Sequence, residues 1–327
     1  MPSRTLRSLA LAATTATLIA SIGCASEKDD DLFGSASDGG SDGRGSGGSS
    51  AVNGGAAGCT DANNDGICDG QNTCVEGDNS ADVDQDGIPD ACDPCGIGKV
   101  LALQPIAFYR LGEGVTYTAE NLIDTDANAS YYGAYTAQAG ATADGDLSVE
   151  LNGDIDCFVM ANPVAAFPTT AMTISVWLMD LSPQDTYQES TVFSYATAGE
   201  QNEIVISIDP FGSPTRRVQV TVSDQDWDTE VVLPAGTWQH VVLTWDSATG
   251  DAALYLNGAQ AASTTGFAAG SSISGGGAMV LGQDQDEVGG GFSTIQSVEG
   301  RLDELIIFDR ALSAEDVGEI YSSSTCA

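Results

Sequence analysis

The chain has 327 residues, 47 acidic and only 10 basic, for a formal net charge of −37. Such a surface repels phosphate backbones, which excludes nucleic-acid binding through a basic footprint and favours divalent cations instead. With 42% hydrophobic and only 17% charged residues it is not a disordered polyampholyte, and its one histidine, His240, argues against His-rich metal sites and most His-based acid–base chemistry. The same acidic balance also fits a surface adapted to salty water.

Arg4 and Arg7 precede a weakly apolar run from Leu9 to Gly23, the pattern of a secretory signal and too short to span a bilayer as a helix. The run ends in Ser21-Ile22-Gly23-Cys24, which resembles a bacterial lipobox. That resemblance implies removal of residues 1–23 and lipidation of Cys24. Ser21 stands where the lipobox usually has Leu, which leaves ordinary cleavage nearby as the alternative. Residues 24–58 are mainly Gly, Ser, Asp and Ala and cannot bury a core. They predict a flexible tether of about 30 Å end to end. No second long apolar run follows. Contact with a membrane is therefore expected only through the N-terminal anchor, and the expected location is the bacterial cell surface or outer membrane.

Residues 59–98 hold ten acidic side chains and five of the eight cysteines, with Lys99 the next base. Two ladders place oxygen donors at alternate positions: Asp61, Asn63, Asp65 and then Asp69, and Asp82, Asp84, Asp86 and then Asp90. Gly66 and Gly87 at the sixth positions permit the tight turn that brings such donors round one calcium ion. Asn72 and Asp93 stand where an EF-hand has its bidentate Glu, so flanking helices are not expected. The run Asp82–Asp93, with Cys74 before it and Cys92 near its end, resembles a type 3 thrombospondin repeat. That resemblance implies wrapping around calcium and a Cys74–Cys92 disulfide; an acidic disulfide-bonded spacer is the alternative. Cysteine usage supports export.

From residue 99 to 327 short β-branched and aromatic runs alternate with Gly, Asp and Asn turns. Strands are predicted at 106–111, 148–151, 172–179, 191–195, 203–208, 217–222, 238–245, 252–256 and 302–308. The apolar density of Thr173–Leu178 and Val241–Trp245 calls for strands covered on both faces. Asn257-Gly258 marks a hairpin. One short C-terminal helix is predicted, with Ser313 as N-cap and Asp316 at N3. The fold class is all-β: a two-sheet jelly-roll sandwich of roughly 225 residues with a short C-terminal helix, behind an irregular stalk and a linker.

Phe108–Glu113, Trp238–Trp245, Gly300–Glu304 and Asp309-Arg310-Ala311-Leu312-Ser313 resemble a laminin G-like, concanavalin-like jelly roll. Val192–Thr197, Asn202-Glu203-Ile204, Leu281–Asp286 and Gly289–Phe292 bring it closest to the pentraxin branch. The resemblance implies a calcium-bearing face that uses the metal to hold a ligand's anionic or hydroxyl oxygens. Carried over by position, Asn202, Asp284, Asp286 and Gln296 are metal ligands, with Gln285 offering its backbone carbonyl. Gln201 replaces an Asp of the family and Ser293 a Glu, two charges fewer for the metals. Ser207 stands where phosphocholine binders carry an aromatic wall, so that specificity is not inherited. The signature's disulfide is also missing, with Val242 and Ser175 in place of its cysteines. Cys157 has Cys326 as its candidate partner within the domain, with Cys95 competing.

These features predict a lipid-anchored surface protein presenting a calcium-dependent module for a glycan or a phosphorylated surface group. The alternative is an adhesin that binds protein partners, with calcium only stiffening the stalk. Catalysis is not expected. Jelly-roll hydrolases set two carboxylates at alternate positions of one strand, whereas the acids of Glu299–Glu304 fall on the terminal structural strand. Trp227, among Asp224, Asp226 and Asp228, is expected to plug the sandwich edge, with stacking on a sugar as the other reading. His240 is expected to be a core residue.

Overall fold

The structure, a computed structural model, describes residues 96–325 apart from 114–116, 134, 165, 184–187 and 210–215. The signal, the linker, both Asp ladders, and Cys24, Cys74, Cys92, Cys95 and Cys326 lie outside the described residues. No helix among the described residues is long and apolar enough to cross a membrane.

In chain order the first elements are α1 (Gly98–Ala102), β1 (Ala107–Tyr109), β2 (Thr118–Ala119), β3 (Ala129–Tyr132), β4 (Thr136–Ala139), β5 (Leu147–Asn152) and β6 (Phe158–Ala161). The long central strands follow: β7 (Ala171–Asp180), β8 (Ser190–Thr197), β9 (Glu200–Asp209), β10 (Arg217–Val222), β11 (Gln225–Val232) and β12 (Gln239–Asp246). The chain closes with β13 (Asp251–Leu256), β14 (Ala259–Thr264), β15 (Ala278–Leu281), β16 (Glu299–Phe308) and α2 (Ala314–Thr325).

Two antiparallel sheets result. The first runs β14-β13-β12-β7-β16-β5-β4, with β1 also paired to β16; the second runs β11-β10-β9-β8-β15-β6-β3-β2. Every predicted strand appears, with ends moved by up to three residues, and the predicted all-β sandwich is the observed architecture.

Alternation along the strands builds the core between the sheets. Met172, Ile174, Val176 and Leu178 of β7 face Phe193 and Tyr195 of β8 and Ile204 and Ile206 of β9 within one buried cluster. The opposite face of the first sheet is also covered. Phe108, Val242, Tyr255, Ile306 and Phe308 pack there against Val317 and Ile320 of α2 and Val100 of α1. This second layer explains why Val242 of β12 is apolar on the outward face and why the outward Thr173 and Ser175 of β7 are buried. The helix starts where its cap predicts: Asp316 N donates to Ser313 Oγ (3.2 Å), while Ser313 N donates to Asp316 Oδ2 (3.1 Å). Asn257 (φ +52°) and Gly258 (φ +77°) form the left-handed pair that closes the β13–β14 hairpin.

A buried ion pair pins the ends of three strands. Arg216 Nε lies 3.1 Å from Asp180 Oδ2 with both side chains about 1% exposed, and its other nitrogens donate to Gln188 O (2.9 Å) and Ser190 Oγ (2.6 Å).

Candidate functional site: an oxygen-lined loop over the second sheet

Chain between β15 and β16 folds back over the outer face of the second sheet. Gly282 starts it at φ +90°, where a side chain would run into Leu151. The segment is then sewn to β8. Ser194 Oγ donates to Gln283 O (2.8 Å), and Gln285 Nε2 donates to Ser194 O (3.2 Å), Ser194 Oγ (3.0 Å) and Ala278 O (3.1 Å). Gln285 Oε1 accepts from Gly289 N (2.8 Å), which closes the tip of the loop. Phe292 packs on Phe158 at 4.4 Å between ring centroids. Gln285 is wholly buried, so its side chain is structural and its expected contribution to a cation is confined to the backbone carbonyl.

Within this loop Asp284 and Gln296 meet. Gln296 Nε2 donates to Asp284 Oδ2 at 2.7 Å, and Asp284 Oδ1 accepts from Gln285 N at 2.9 Å. Gln296 is fixed by its own backbone, whose N–H donates to Ser293 O (3.0 Å) and whose carbonyl accepts from Thr191 N (3.0 Å). Both side chains are nearly buried, whereas Asp286 is exposed beside them. Gly291 (φ +72°) presses on Asp286: a Cβ there would lie 2.7 Å from Asp286 Cβ. Asp284, Asp286, Gln296 and the Gln285 carbonyl are therefore gathered on one braced loop.

Asn202 stands at the start of β9. Its amide donates to Asp224 Oδ1 (3.1 Å), and Asp224 N donates to Asn202 O (3.2 Å), tying it to the β10–β11 turn. Glu200 Oε1 accepts from Asn202 N (3.3 Å). Next to it lies an acid to which the sequence assigned no role: buried Glu203 accepts from Thr197 Oγ1 (3.1 Å) and Ser274 N (3.0 Å).

The loop's donor set fits a hard cation. The carboxylates of Asp284 and Asp286 and the Gln285 carbonyl are oxygen donors, while Gln296 turns its amide nitrogen to Asp284; one carboxylate is held by hydrogen bonds and the second is exposed, as calcium's irregular coordination allows. The two family carboxylates lost in sequence are absent here too. Gln201 is exposed at the strand end, and Ser293 uses its carbonyl to accept from Gln296 N.

Other candidates sort plainly. His240 is wholly buried, with Nε2 2.8 Å from Ser175 Oγ and Nδ1 without a partner among the described residues, and burial pulls its pKa down to about 3. It is a core residue. Ser175 and Val242, where the signature's cysteines would stand, are direct Cα partners across β7 and β12. Trp227 leans on the core beside Phe267, ring centroids 5.9 Å apart. Cys157 is buried in the main cluster. Asp303 and Glu304, in the strand expected to be purely structural, are buried and face Arg110 together with Asp144 and Asp146. An Asp-Glu pair inside an apolar strand was the only signal of this second cluster in the sequence.

The fold and the braced loop define a jelly-roll sandwich of the pentraxin type. The family model described as "Pentaxin family" matches residues 154–327, more than half of the chain, and the chain belongs to that family. It is 38% identical over 135 residues to C-reactive protein 1.1 of Limulus polyphemus, covering 38% of this chain and 52% of that protein. It is 34% identical over 157 residues to human neuronal pentraxin-1, covering 48% of this chain and 34% of that one. The matches thus span about half or less of these relatives' own length. Among solved structures, the heptameric SAP-like pentraxin of Limulus polyphemus aligns at 24% identity and a TM-score of 0.44, covering 54% of this chain and 81% of that one.

Proposed function

We propose that the domain is a calcium-dependent ligand-binding module, held at a bacterial surface by a lipid on Cys24 and a flexible linker, and that it is not an enzyme. Membership of the Pentaxin family and the two carboxylates on one braced loop support the calcium reading. The observation that carries it is the Asp284–Gln296 contact at 2.7 Å beside exposed Asp286. Ions held there leave coordination positions open to hydroxyl or phosphoryl oxygens of a glycan or a phosphorylated surface group. Buried Ser207 offers no aromatic wall, which disfavours a choline headgroup.

The test is a glycan and phospholigand screen on the full chain, with calcium and with chelator, beside Asp284→Asn/Asp286→Asn. Binding that needs calcium and vanishes in the variant is expected. Binding that ignores both favours the second reading, a protein-binding adhesin, for which the two missing carboxylates at Gln201 and Ser293 speak.

A further inference from the structure

The outer face of the first sheet holds a second acidic constellation, separate from the loop. Four carboxylates face one guanidinium. Arg110 Nε lies 2.9 Å from Glu304 Oε1, its Nη2 lies 2.7 Å from Asp146 Oδ2 and also pairs with Asp144, and Asp303 adjoins Glu304. A bulge in β16 between Asp303 and Ile306, with Glu304 at φ +49°, lets both consecutive acids reach this side while Leu302 and Leu305 enter the core.

Side-chain oxygens of Asp146, Asp303 and Glu304 all lie within 4.8 Å of one another. Asp303 is wholly buried; its Oδ2 accepts from Ala141 N at 2.7 Å, but its Oδ1 is buried with no hydrogen-bond partner among the described residues. Gly140 leaves the space open: a Cβ there would lie 2.8 Å from Asp303 Oδ2 and collide with Asp146 Oδ1. Beside the acids is a cavity of about 10 Å³ bordered by Thr142, Asp144, Glu304 and Ser324, room for about one water. The C-terminal end of α2 adds carbonyl dipoles with no basic residue in its last turn, and Ser324 O accepts from Ala143 N at 2.9 Å.

If all four acids are ionised, Arg110 alone leaves a surplus of buried negative charge, which is strongly unfavourable. A divalent cation cuts that surplus from three charges to one and gives Asp303 Oδ1 its missing partner. The three converging groups are all carboxylates, which selects a hard ion of the calcium type over zinc. We propose that Asp146, Asp303 and Glu304 hold a calcium ion that staples the 140–146 segment to β16 beneath the end of α2. Protons are the competing means of neutralisation, since burial and mutual repulsion push the Asp303 and Glu304 carboxyls up. This site stands independently of the loop.

The experiment uses the full chain, stripped with chelator and titrated with calcium chloride, as wild type, Asp303→Asn and Asp284→Asn/Asp286→Asn. Wild-type Tm is expected to rise by about 3–5 °C for each tenfold excess of calcium over Kd. In Asp303→Asn the rise shrinks and the calorimetric stoichiometry falls by one ion, whereas the loop variant keeps this site's ion. Should Asp303→Asn not fold, Asp146→Asn makes the same comparison from the loop side. Terbium luminescence reads the wild type directly, because Trp177 is the Cα partner of Asp303. Emission that calcium displaces and Trp177→Phe removes supports the site. A full ion count with an undiminished Tm rise in Asp303→Asn overturns it. So does a wild type indifferent to calcium whose Asp303→Asn is the more stable, the signature of protons. Ions lost only in the loop variant overturn this inference and leave the loop reading standing.

Discussion

His240 carries a cost that appears only in acid. Its ordinary pKa is about 6.5 and burial lowers it to about 3, so between those values the unfolded chain binds a proton that the native state refuses. Stability is therefore undiminished by this residue above pH 6.5 and falls as pH drops toward 3, by on the order of 5 kcal/mol in all. Replacing His240→Leu together with Ser175→Ala, which removes both hydrogen-bond partners, should flatten that acid limb relative to wild type in pH-dependent denaturant melts. A second residue, Gly291, shapes the loop by having no side chain. Gly291→Ala meets both an unfavourable φ and Asp286 Cβ, so calcium affinity at the loop should fall by about tenfold or more, read by calorimetry against the loop variant. The spacing of Asp284, Asp286 and Gln296 was legible because they share one contiguous loop. The bond of Asn202 to Asp224 was not, because it depends on how two hairpins lie side by side.

Among the elements, β7, β12 and the 305–308 end of β16 declare themselves in sequence because they are buried along their length and carry dense apolar runs. Short β2, β3, β4, β6 and β15 went unseen, since two to four residues give no period and their strand character comes from neighbours in the ladder. Edge strand β11 is largely polar and hides for another reason: one side of it meets water. The Arg216–Asp180 pair joins β7 to the start of β10, and its partners are 36 residues apart. Arg216→Met strands a buried carboxylate and should destabilise the domain by about 3–5 kcal/mol, whereas Arg216→Met with Asp180→Leu should recover most of the loss. Denaturant midpoints of the two variants check this, and equal losses would refute the ion-pair account.

Over the whole molecule the formal charge of −37 sets a background of self-repulsion. Raising sodium chloride from about 0.01 M to 1 M shortens the Debye length from about 30 Å to 3 Å and should raise Tm in the presence of chelator. A flat or falling Tm would mean that the surface acids are spaced too far apart to matter. Composition, the β period, the N-cap at Ser313 and the Asn257-Gly258 turn determined by themselves that the C-terminal part of the chain is an all-β sandwich with a C-terminal helix. Each of these is a local signal: a period, a cap or a turn needs only a few neighbouring residues. Tertiary structure alone decided that α1 and α2 roof the first sheet and that Gln285 is a brace. It also decided that Asp303 and Glu304 meet Asp144 and Asp146 around Arg110. Glu304 and Arg110 are 194 residues apart, and an interaction between groups so distant in the chain is set by packing, which no local pattern encodes.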